Sequence, residues 1–277
     1  MNESKIKLLH VTQPTTEGVG LYVRYLVRYH DNEKFIVDVA CPNNQEFINH
    51  LRKNCKAVYI IPFVRRIHPL QDLVAFFQLL KLVHENKYDV LVLHSSKAGV
   101  LGRLVGFTLG VKNIVYTPNA FAYFNNSGFI GTVYYLIERY TSWMLTKIIA
   151  VSKSELDRAL EDKLVPVEKI GLVENGIDLA VLDKEINKEE KKAELKVKKD
   201  QKVVGMIARL SQQKAPEIFV EAMSDLLNER EDIYCYLAGS GPSQDTIKDL
   251  IAERGFEEKI HLLGYRDDVH ELLQLTD

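Results

Sequence analysis

Along the chain, short apolar runs alternate with stretches in which apolar residues return every three or four positions. Ile6–Val11, Phe35–Cys41, Ala57–Pro62, Asp89–Leu93, Asn113–Thr117 and Lys147–Val151 read as strands. The helical period is clearest in Gly20–His30, through Tyr22, Tyr25, Leu26 and Tyr29, and in Leu70–His84, through Leu73, Phe76, Phe77 and Leu80. Strictly alternating strands and helices predict an α/β fold with a parallel sheet and right-handed crossovers. The pattern breaks near Leu182, where Asp183 to Gln201 is dense in charge around Lys188-Glu189-Glu190-Lys191-Lys192. That stretch reads as an exposed helix and connector. A second alternation then runs from Lys202: strand to Ala208, helix to Leu227 with Phe219, Ala222, Met223 and Leu226 on one stripe, strand to Ala238, helix to Arg254, strand Lys259–Leu263, and an amphipathic start at Asp267. The expected domains are 1–183 and 201–277, joined by 184–200, with the second domain a thin, incomplete Rossmann-like half.

With 277 residues, 46% of them hydrophobic, the chain can bury two cores, which excludes global disorder. Its 36 Lys and Arg against 38 Asp and Glu leave a net charge of -2, so no overall field draws it to nucleic acid or an anionic surface, and anion recognition must be local. Cys41, Cys55 and Cys235 lack a Cys-x-x-Cys pair and argue for a reducing compartment and core packing. The polar start Met1–Lys5 leads into a single strand and has no apolar core of signal-peptide length, and no run reaches the roughly 18 to 20 apolar residues of a membrane span. The expected location is the cytoplasm or the inner face of the membrane. Phe129 to Leu145, interrupted by Glu138 and Arg139, reads as a soluble helix. Its stripe of Ile130, Val133, Tyr134, Ile137 and Met144 is expected in the core, with a peripheral membrane face as the alternative.

The candidate chemistry lies at strand ends. Val203 to Ile207 empties into a loop bearing Arg209 and Lys214, and a buried parallel strand would place both cations at its carboxyl end, where open α/β sheets bind ligands. A guanidinium fork and a compact ammonium together suit a diphosphate. Gly239 and Gly241 follow the next strand, and Gly264-Tyr265-Arg266 the one after. Both glycines fit close approach to a ligand and tight strand-to-helix packing equally well. In the first half, Glu17-Gly18-Val19-Gly20 opens a helix after the first strand without the Gly-x-Gly-x-x-Gly spacing of dinucleotide binders, so it is either a phosphate loop or a plain turn and cap. His94 ends a strand ahead of Ser95 and Ser96, which suit helix capping. The sequence has no Walker A loop, no Gly-x-Ser-x-Gly, no His-Glu-x-x-His and no Asp-x-Asp metal pair, so neither a cofactor nor a metal is expected.

Ile207-Ala208-Arg209-Leu210 with Lys214, Leu237-Ala238-Gly239-Ser240-Gly241-Pro242, Val173-Glu174-Asn175-Gly176-Ile177-Asp178, His94-Ser95-Ser96-Lys97-Ala98-Gly99 and Tyr116-Thr117-Pro118-Asn119-Ala120-Phe121 occur in an order that resembles the family 4 retaining glycosyltransferases, and in particular members that build capsular polysaccharide and lipopolysaccharide O-chains. The resemblance runs from about residue 5 to the last residue. It implies the GT-B fold, two Rossmann-like domains facing a cleft, and metal-independent transfer from a nucleotide-sugar donor, UDP favoured over GDP, to a cell-surface glycan or lipid-linked acceptor. It also implies that Arg209 and Lys214 hold the departing diphosphate, that the Gly18–Gly20 loop lies under the donor phosphates, and that backbone groups of Tyr265 and Arg266 lie beside the base. Glu17, His94 and Asn119 fall on the sugar and acceptor side. At Asn119 the family usually has histidine, and an amide can hydrogen-bond a hydroxyl but cannot exchange a proton near neutral pH. The family's Glu-x7-Glu element follows the third strand of the second domain, and the chain stops before it, so weak or absent transfer is expected. The alternatives are a sugar-nucleotide epimerase or hydrolase, for which His10, His94 and Glu17 are the available acid/base groups, and a non-catalytic binding subunit completed by a partner.

Overall fold

A computed structural model describes residues 5–64, 66–126, 128–182 and 184–277. The first unit, to Gly176, carries β1 (Ile6–Thr12), α1 (Glu17–Arg28), β2 (Phe35–Cys41), α2 (Gln45–Leu51), β3 (Ala57–Ile60), α3 (Pro69–Asn86), β4 (Val90–His94), α4 (Ser96–Thr108), β5 (Asn113–Thr117), α5 (Gly128–Thr141), β6 (Lys147–Ala150), α6 (Lys153–Glu161) and β7 (Ile170–Leu172). The second, from Ile177, carries α7 (Leu179–Leu182), α8 (Lys188–Leu195), β8 (Lys202–Ile207), α9 (Pro216–Glu229), β9 (Ile233–Ala238), α10 (Gln244–Glu253), β10 (Ile260–Gly264) and α11 (Val269–Leu275).

In the first unit seven parallel strands run in the order β3-β2-β1-β4-β5-β6-β7. The order reverses between β1 and β4, the position at which such sheets open a crevice at their carboxyl edge. The alternation of β2 explains its two cores. Val37, Val39 and Cys41 pack with Val23 and Val27 of α1 and Phe47 and Leu51 of α2, whereas Ala40 faces the larger cluster built on Leu79, Leu91, Leu93, Val105 and Ile148. Asp38 also lies in β2 and is buried; it is held by a hydrogen bond from the Tyr88 hydroxyl at 2.7 Å. The short strand β7 and the helix α2 have too few apolar repeats to stand out in the sequence.

In the second unit β10, β9 and β8 form a parallel sheet with β9 central. Every residue of β9 is buried. Ile233, Cys235 and Leu237 pack with Val220, Met223 and Leu227 of α9 and Ile247 and Ile251 of α10; Tyr234, Tyr236 and Ala238 pack with Leu195 of α8 and Leu272 and Leu275 of α11. The buried face of α9 is centred on Val220, Met223 and Leu227, so Ala222, expected on the core stripe, is exposed.

Two further expectations are corrected. The charge-dense stretch begins at Asp183, which lies outside the described residues, and it includes a packed helix rather than only an exposed connector. Lys191 of α8 is buried and contacts Glu194 at 2.7 Å, Asp268 at 2.5 Å and Glu271 at 2.7 Å, which fastens α8 to α11. The stripe of α5 points the other way from the one expected. Ile130, Val133 and Ile137 are exposed, Tyr134 is half-buried, and Met144 lies beyond the helix in a 3-10 turn. The buried positions of α5 are Gly131, where a Cβ would lie 2.0 Å from the carbonyl oxygen of Asn126, and Glu138, whose charge is paired. A paired carboxylate can occupy the inner face, which leaves the apolar stripe outside.

Candidate functional site

In the second unit the three strand-end loops are joined by main-chain hydrogen bonds. Beyond β8 the amide of Ala208 donates to the carbonyl of Ala238 at 3.0 Å and that of Leu210 to Ser240 at 3.1 Å; the Ser243 amide returns to Leu210 at 3.0 Å. Beyond β9 the amide of Gly239 donates to Gly264, the last residue of β10, at 2.7 Å. Such contact requires the glycines: a Cβ on Gly239, at φ +138, would lie 1.9 Å from the oxygen of Ala208, and one on Gly241 would lie 2.2 Å from that of Leu210. Their first task is therefore close approach of backbone to backbone, and that approach positions Arg209 between Ala208 and Leu210. Lys214 ends a 3-10 turn, and Ala215, left-handed at φ 46, turns the chain into Pro216 at the start of α9. Arg209 is half-buried and Lys214 exposed, both in the loop between β8 and α9.

Tyr265 and Arg266 follow β10 at the same edge. The guanidinium of Arg266 donates to Asp268 at 2.7 Å and to Glu194 at 2.6 Å, and these hydrogen bonds, Asp268 foremost, raise its pKa further. Its side chain is thereby committed within the unit, whereas Tyr265 is largely exposed. The side chain of Arg266 is therefore engaged by Asp268 and Glu194.

In the first unit the expected residues sit at the carboxyl ends of β1, β4 and β5, neighbours in the sheet. Glu17 begins α1, and its side chain lies outside the described part. Gly18 and Gly20 differ in kind. A Cβ on Gly20 would lie 2.5 Å from the backbone of Thr15, whereas one on Gly18 would meet nothing within 4 Å. Gly20 serves the turn, and Gly18 leaves open space at the start of the helix.

His94 is fully buried at the end of β4, across the switch point from His10 of β1. Their rings share a hydrogen bond, His10 Nδ1 to His94 Nε2, of 2.9 Å, and Tyr22 of α1 stands edge-on to His94 at 5.8 Å. The other ring nitrogen of His94 and the hydroxyl of Ser95 are buried without a hydrogen-bond partner among the described residues. Burial above all holds the pKa of His10 down to about 3 and that of His94 well below its ordinary value, so the pair is neutral near pH 7. Ser95 at φ 71, Asn119 at φ 53 and Ala120 at φ 75 concentrate left-handed backbone at this edge. Asn119 is half-buried and donates from its amide nitrogen to the carbonyl of Thr117 at 3.2 Å, and the amide of Ser95 donates to the same carbonyl at 3.2 Å.

Sequence reasoning missed Glu155. Its two oxygens accept from the amides of Ala120 and Val151, both at 2.8 Å, and so tie the β5 loop to the β6 loop behind Asn119. Burial raises its pKa while those two amides oppose the rise. A legible signal existed: Ser152-Lys153-Ser154-Glu155 has the capping-box pattern, and the Ser152 hydroxyl accepts from the Glu155 amide at 3.2 Å, although the carboxylate reaches the Val151 amide rather than that of Ser152.

The description Glycosyltransferase Family 4 matches residues 16–181, and Glycosyl transferases group 1 matches residues 187–277. The UDP-Gal:alpha-D-GlcNAc-diphosphoundecaprenol alpha-1,3-galactosyltransferase of Escherichia coli is 28% identical over 280 residues, covering 99% of this chain and 72% of that protein. The O-antigen biosynthesis glycosyltransferase WbnH of Escherichia coli is 25% identical over 75% of this chain and 54% of its own length. The capsular polysaccharide biosynthesis glycosyltransferase CapM of Staphylococcus aureus is 24% identical over 68% of this chain and 50% of its own. The chain thus spans about half the length of WbnH and CapM and 72% of the galactosyltransferase. Anabaena Alr3699/HepE, solved in complex with UDP and glucose, matches in fold with a TM-score of 0.80 at 20% identity, covering 98% of this chain and 73% of that one. A UDP-N-acetylglucosamine 2-epimerase matches with a TM-score of 0.63 at 15% identity, over 99% of this chain and 73% of its own. More than half of the chain falls within the first family description and most of the remainder within the second, so it belongs to the family 4 glycosyltransferases and has their GT-B fold.

Proposed function

We propose that the chain binds a UDP-activated sugar through the β8, β9 and β10 loops and serves its transfer, with retention at the anomeric carbon, to a polyprenyl-diphosphate-linked glycan. The observation that carries this reading is the main-chain lattice that fixes Arg209 beside the Gly239–Gly241 turn. Arg209 and Lys214 neutralise the departing diphosphate, whose charge develops as the glycosidic bond breaks. Tyr265 and Arg266 offer backbone groups to the base; in the first unit, taken by itself, the open space at Gly18 suits a phosphate, and Asn119 with the His94 region suits a sugar or acceptor hydroxyl. Asn119 orients a hydroxyl and does not act as a base. The acceptor class is supported by the diphosphoundecaprenol substrate in the name of the Escherichia coli relative.

An acceptor of that kind lies in a membrane. No helix among the described residues is long and apolar enough to cross one; the outward stripe of α5 is an apolar face suited to its surface. The epimerase or hydrolase reading needs an acid and a base that exchange protons near neutrality; His10 and His94, buried and bonded to each other, do not supply them, which leaves Glu17 as its candidate.

The test is calorimetric titration of UDP, GDP and ADP into the wild type, Arg209→Ala and Lys214→Ala. A charge-assisted hydrogen bond contributes roughly 1.5–3 kcal/mol, so Arg209→Ala should weaken UDP about 10- to 100-fold. Equal UDP affinity in the wild type and both variants would remove the diphosphate site from this loop.

A further inference from the structure

A cavity of about 400 Å³ lies between the first half of α5 and the end of α6, within the roughly 300–1,000 Å³ of small-molecule sites. Its wall takes Gly131, Thr132 and Tyr135 from α5, Arg158 from α6, Asp162 just beyond it, and Tyr123 from the 3-10 turn Ala122–Asn125. Tyr123 is 9% exposed, and its hydroxyl is buried without a hydrogen-bond partner among the described residues. Leaving such a group unpaired is costly, and a bound molecule that supplies the partner removes the cost. The neighbouring Tyr135 hydroxyl is satisfied, donating to the Asp162 carbonyl at 2.8 Å. Burial, and after it the adjacent Asp162 carboxylate, raises the pKa of Tyr123, so its phenol keeps its proton and remains a donor.

The other polar groups of the wall are held in place. Arg158 donates from Nε to Oδ2 of Asp162 at 2.9 Å, and its guanidinium carbon stands 5.4 Å from the centre of the Phe124 ring. The Tyr123 ring is fixed edge-on to Phe124 and Tyr135, with centroids 4.7 Å and 5.5 Å away. Arg158 and Asp162 are the charged residues of the wall and offset each other, so an anion would meet the carboxylate and a cation the guanidinium. A neutral molecule with adjacent hydroxyl groups suits both: it accepts from the guanidinium and the phenol, donates to the carboxylate, and lays its C–H face against the aromatic wall. That is the chemistry of a pyranose. The cavity also shares a loop with Asn119. Phe121, between Asn119 and Tyr123, is fully buried, its ring edge-on to Tyr116 and Phe124, so one rigid segment carries both residues.

Resting on the glycan-acceptor reading above, we propose that the cavity formed by Tyr123, Thr132, Arg158 and Asp162 is a saccharide subsite, which holds a neutral sugar of the acceptor glycan away from the hydroxyl that reacts. It selects the acceptor, favouring a glycan of several sugars over a single one.

The experiment is amide NMR of the 277-residue chain, titrated with maltotriose, cellotriose and tri-N-acetylchitotriose, with glucuronate and glucosamine as charged controls and UDP in a separate titration. At least one neutral trisaccharide should shift the amides of Gly131, Thr132, Arg158 and Asp162, and the charged controls should not. Tyr123→Phe and Arg158→Gln should each weaken that binding about 3- to 10-fold, the loss of one hydrogen bond. Thr132→Trp, which fills the cavity from an exposed helix position, should abolish it. Because Tyr123→Phe removes an unpaired buried hydroxyl, its urea midpoint should hold or rise, which separates lost binding from lost folding. Trisaccharide shifts confined to the His94 and Asn119 strand ends, or no shifts with any of the three, overturn the subsite, as does equal binding in all three variants. A charged control bound in the cavity as tightly as the trisaccharides overturns the choice of a neutral sugar. UDP shifts missing around Arg209, with cavity shifts present, remove the diphosphate site and support the subsite; the reverse result removes the subsite alone.

Discussion

Arg103 and Glu138 form an ion pair out of reach of water: Nη2 donates to Oε2 at 2.9 Å, with the two side chains 0% and 4% exposed. Both partners make further hydrogen bonds. Arg103 donates to the Gly99 carbonyl at 2.9 Å and to the Thr141 hydroxyl at 2.8 Å, and the Tyr116 hydroxyl donates to Oε1 of Glu138 at 2.9 Å. The Tyr116 ring lies beneath the guanidinium, whose carbon is 4.5 Å from the ring centre, in space that a Cβ on Gly99 would enter at 2.5 Å.

Removing one partner leaves the other buried and unpaired, which costs roughly 3–5 kcal/mol. Glu138→Ala is therefore expected to lower the urea midpoint of the first unit by a large margin, and Glu138→Gln, which keeps an acceptor for Tyr116, by less. A shift of under about 0.5 kcal/mol in Glu138→Ala, the range of ordinary surface substitutions, would refute the pair as a structural anchor.

The same pair shows where the sequence was legible and where it was not. Strand positions could be read because buried parallel strands are continuous apolar runs bounded by turns, and Phe35–Cys41 and Asn113–Thr117 are observed at the expected bounds. The facing of α5 could not be read, because periodicity assigns a carboxylate to solvent and says nothing of a partner 35 residues earlier in the chain. Lys191 was hidden in the same way, its partners Asp268 and Glu271 belonging to elements far along the chain. Of the candidate site, the loops were legible from strand-end position and glycine, whereas the His10–His94 contact depends on strand order, which local pattern does not encode.

Titration of that histidine pair should be visible in stability. Both folded pKa values lie below the unfolded value near 6.5, so between about pH 3 and pH 6.5 the unfolded chain binds more protons than the folded one. The contribution is fully present above pH 6.5 and is lost as the pH falls. Each histidine adds up to ~1.4 kcal/mol per pH unit to the slope. Urea unfolding from pH 8 to pH 5 should show stability declining below pH 6.5, and His10→Phe should flatten the decline. An unchanged slope in that variant would mean that the pair is charged or hydrated in the folded state.

Gly18 and Gly241 should separate ligand approach from backbone packing. Gly18→Ala adds a methyl in open space in the first turn of α1, where alanine's advantage over glycine is smaller than the ~1 kcal/mol of a helix interior. Thermal stability should hold or rise, and UDP-sugar affinity should fall if the donor phosphates pass close to this backbone. Gly241→Ala drives a methyl against the Leu210 carbonyl and should lower both, because it displaces the loop that bears Arg209. Donor affinity unchanged in Gly18→Ala would leave that glycine a plain turn residue.

Lys191 offers the sharpest test in the second unit, because one buried ammonium serves three carboxylates. Its burial acts to lower the pKa, but hydrogen bonds to Asp268, Glu194 and Glu271 outweigh that and raise it. Asp268 is held well below the usual carboxylate range, first by Arg266 and then, against its partial burial, by Lys191. A carboxylate with a depressed folded pKa contributes stability above its unfolded value near 3.9, and that stability is lost as the pH falls through the shifted range. In Lys191→Met the three carboxylates face one another with only Glu194 and Asp268 still bonded to Arg266, so their pKa values should move up. The variant should be less stable than the wild type at pH 7, and the deficit should shrink toward pH 4 as protons relieve the repulsion. Paired urea titrations at the two pH values measure this directly, and a deficit independent of pH would mean that the methionine's packing, not the lost charge, sets the difference.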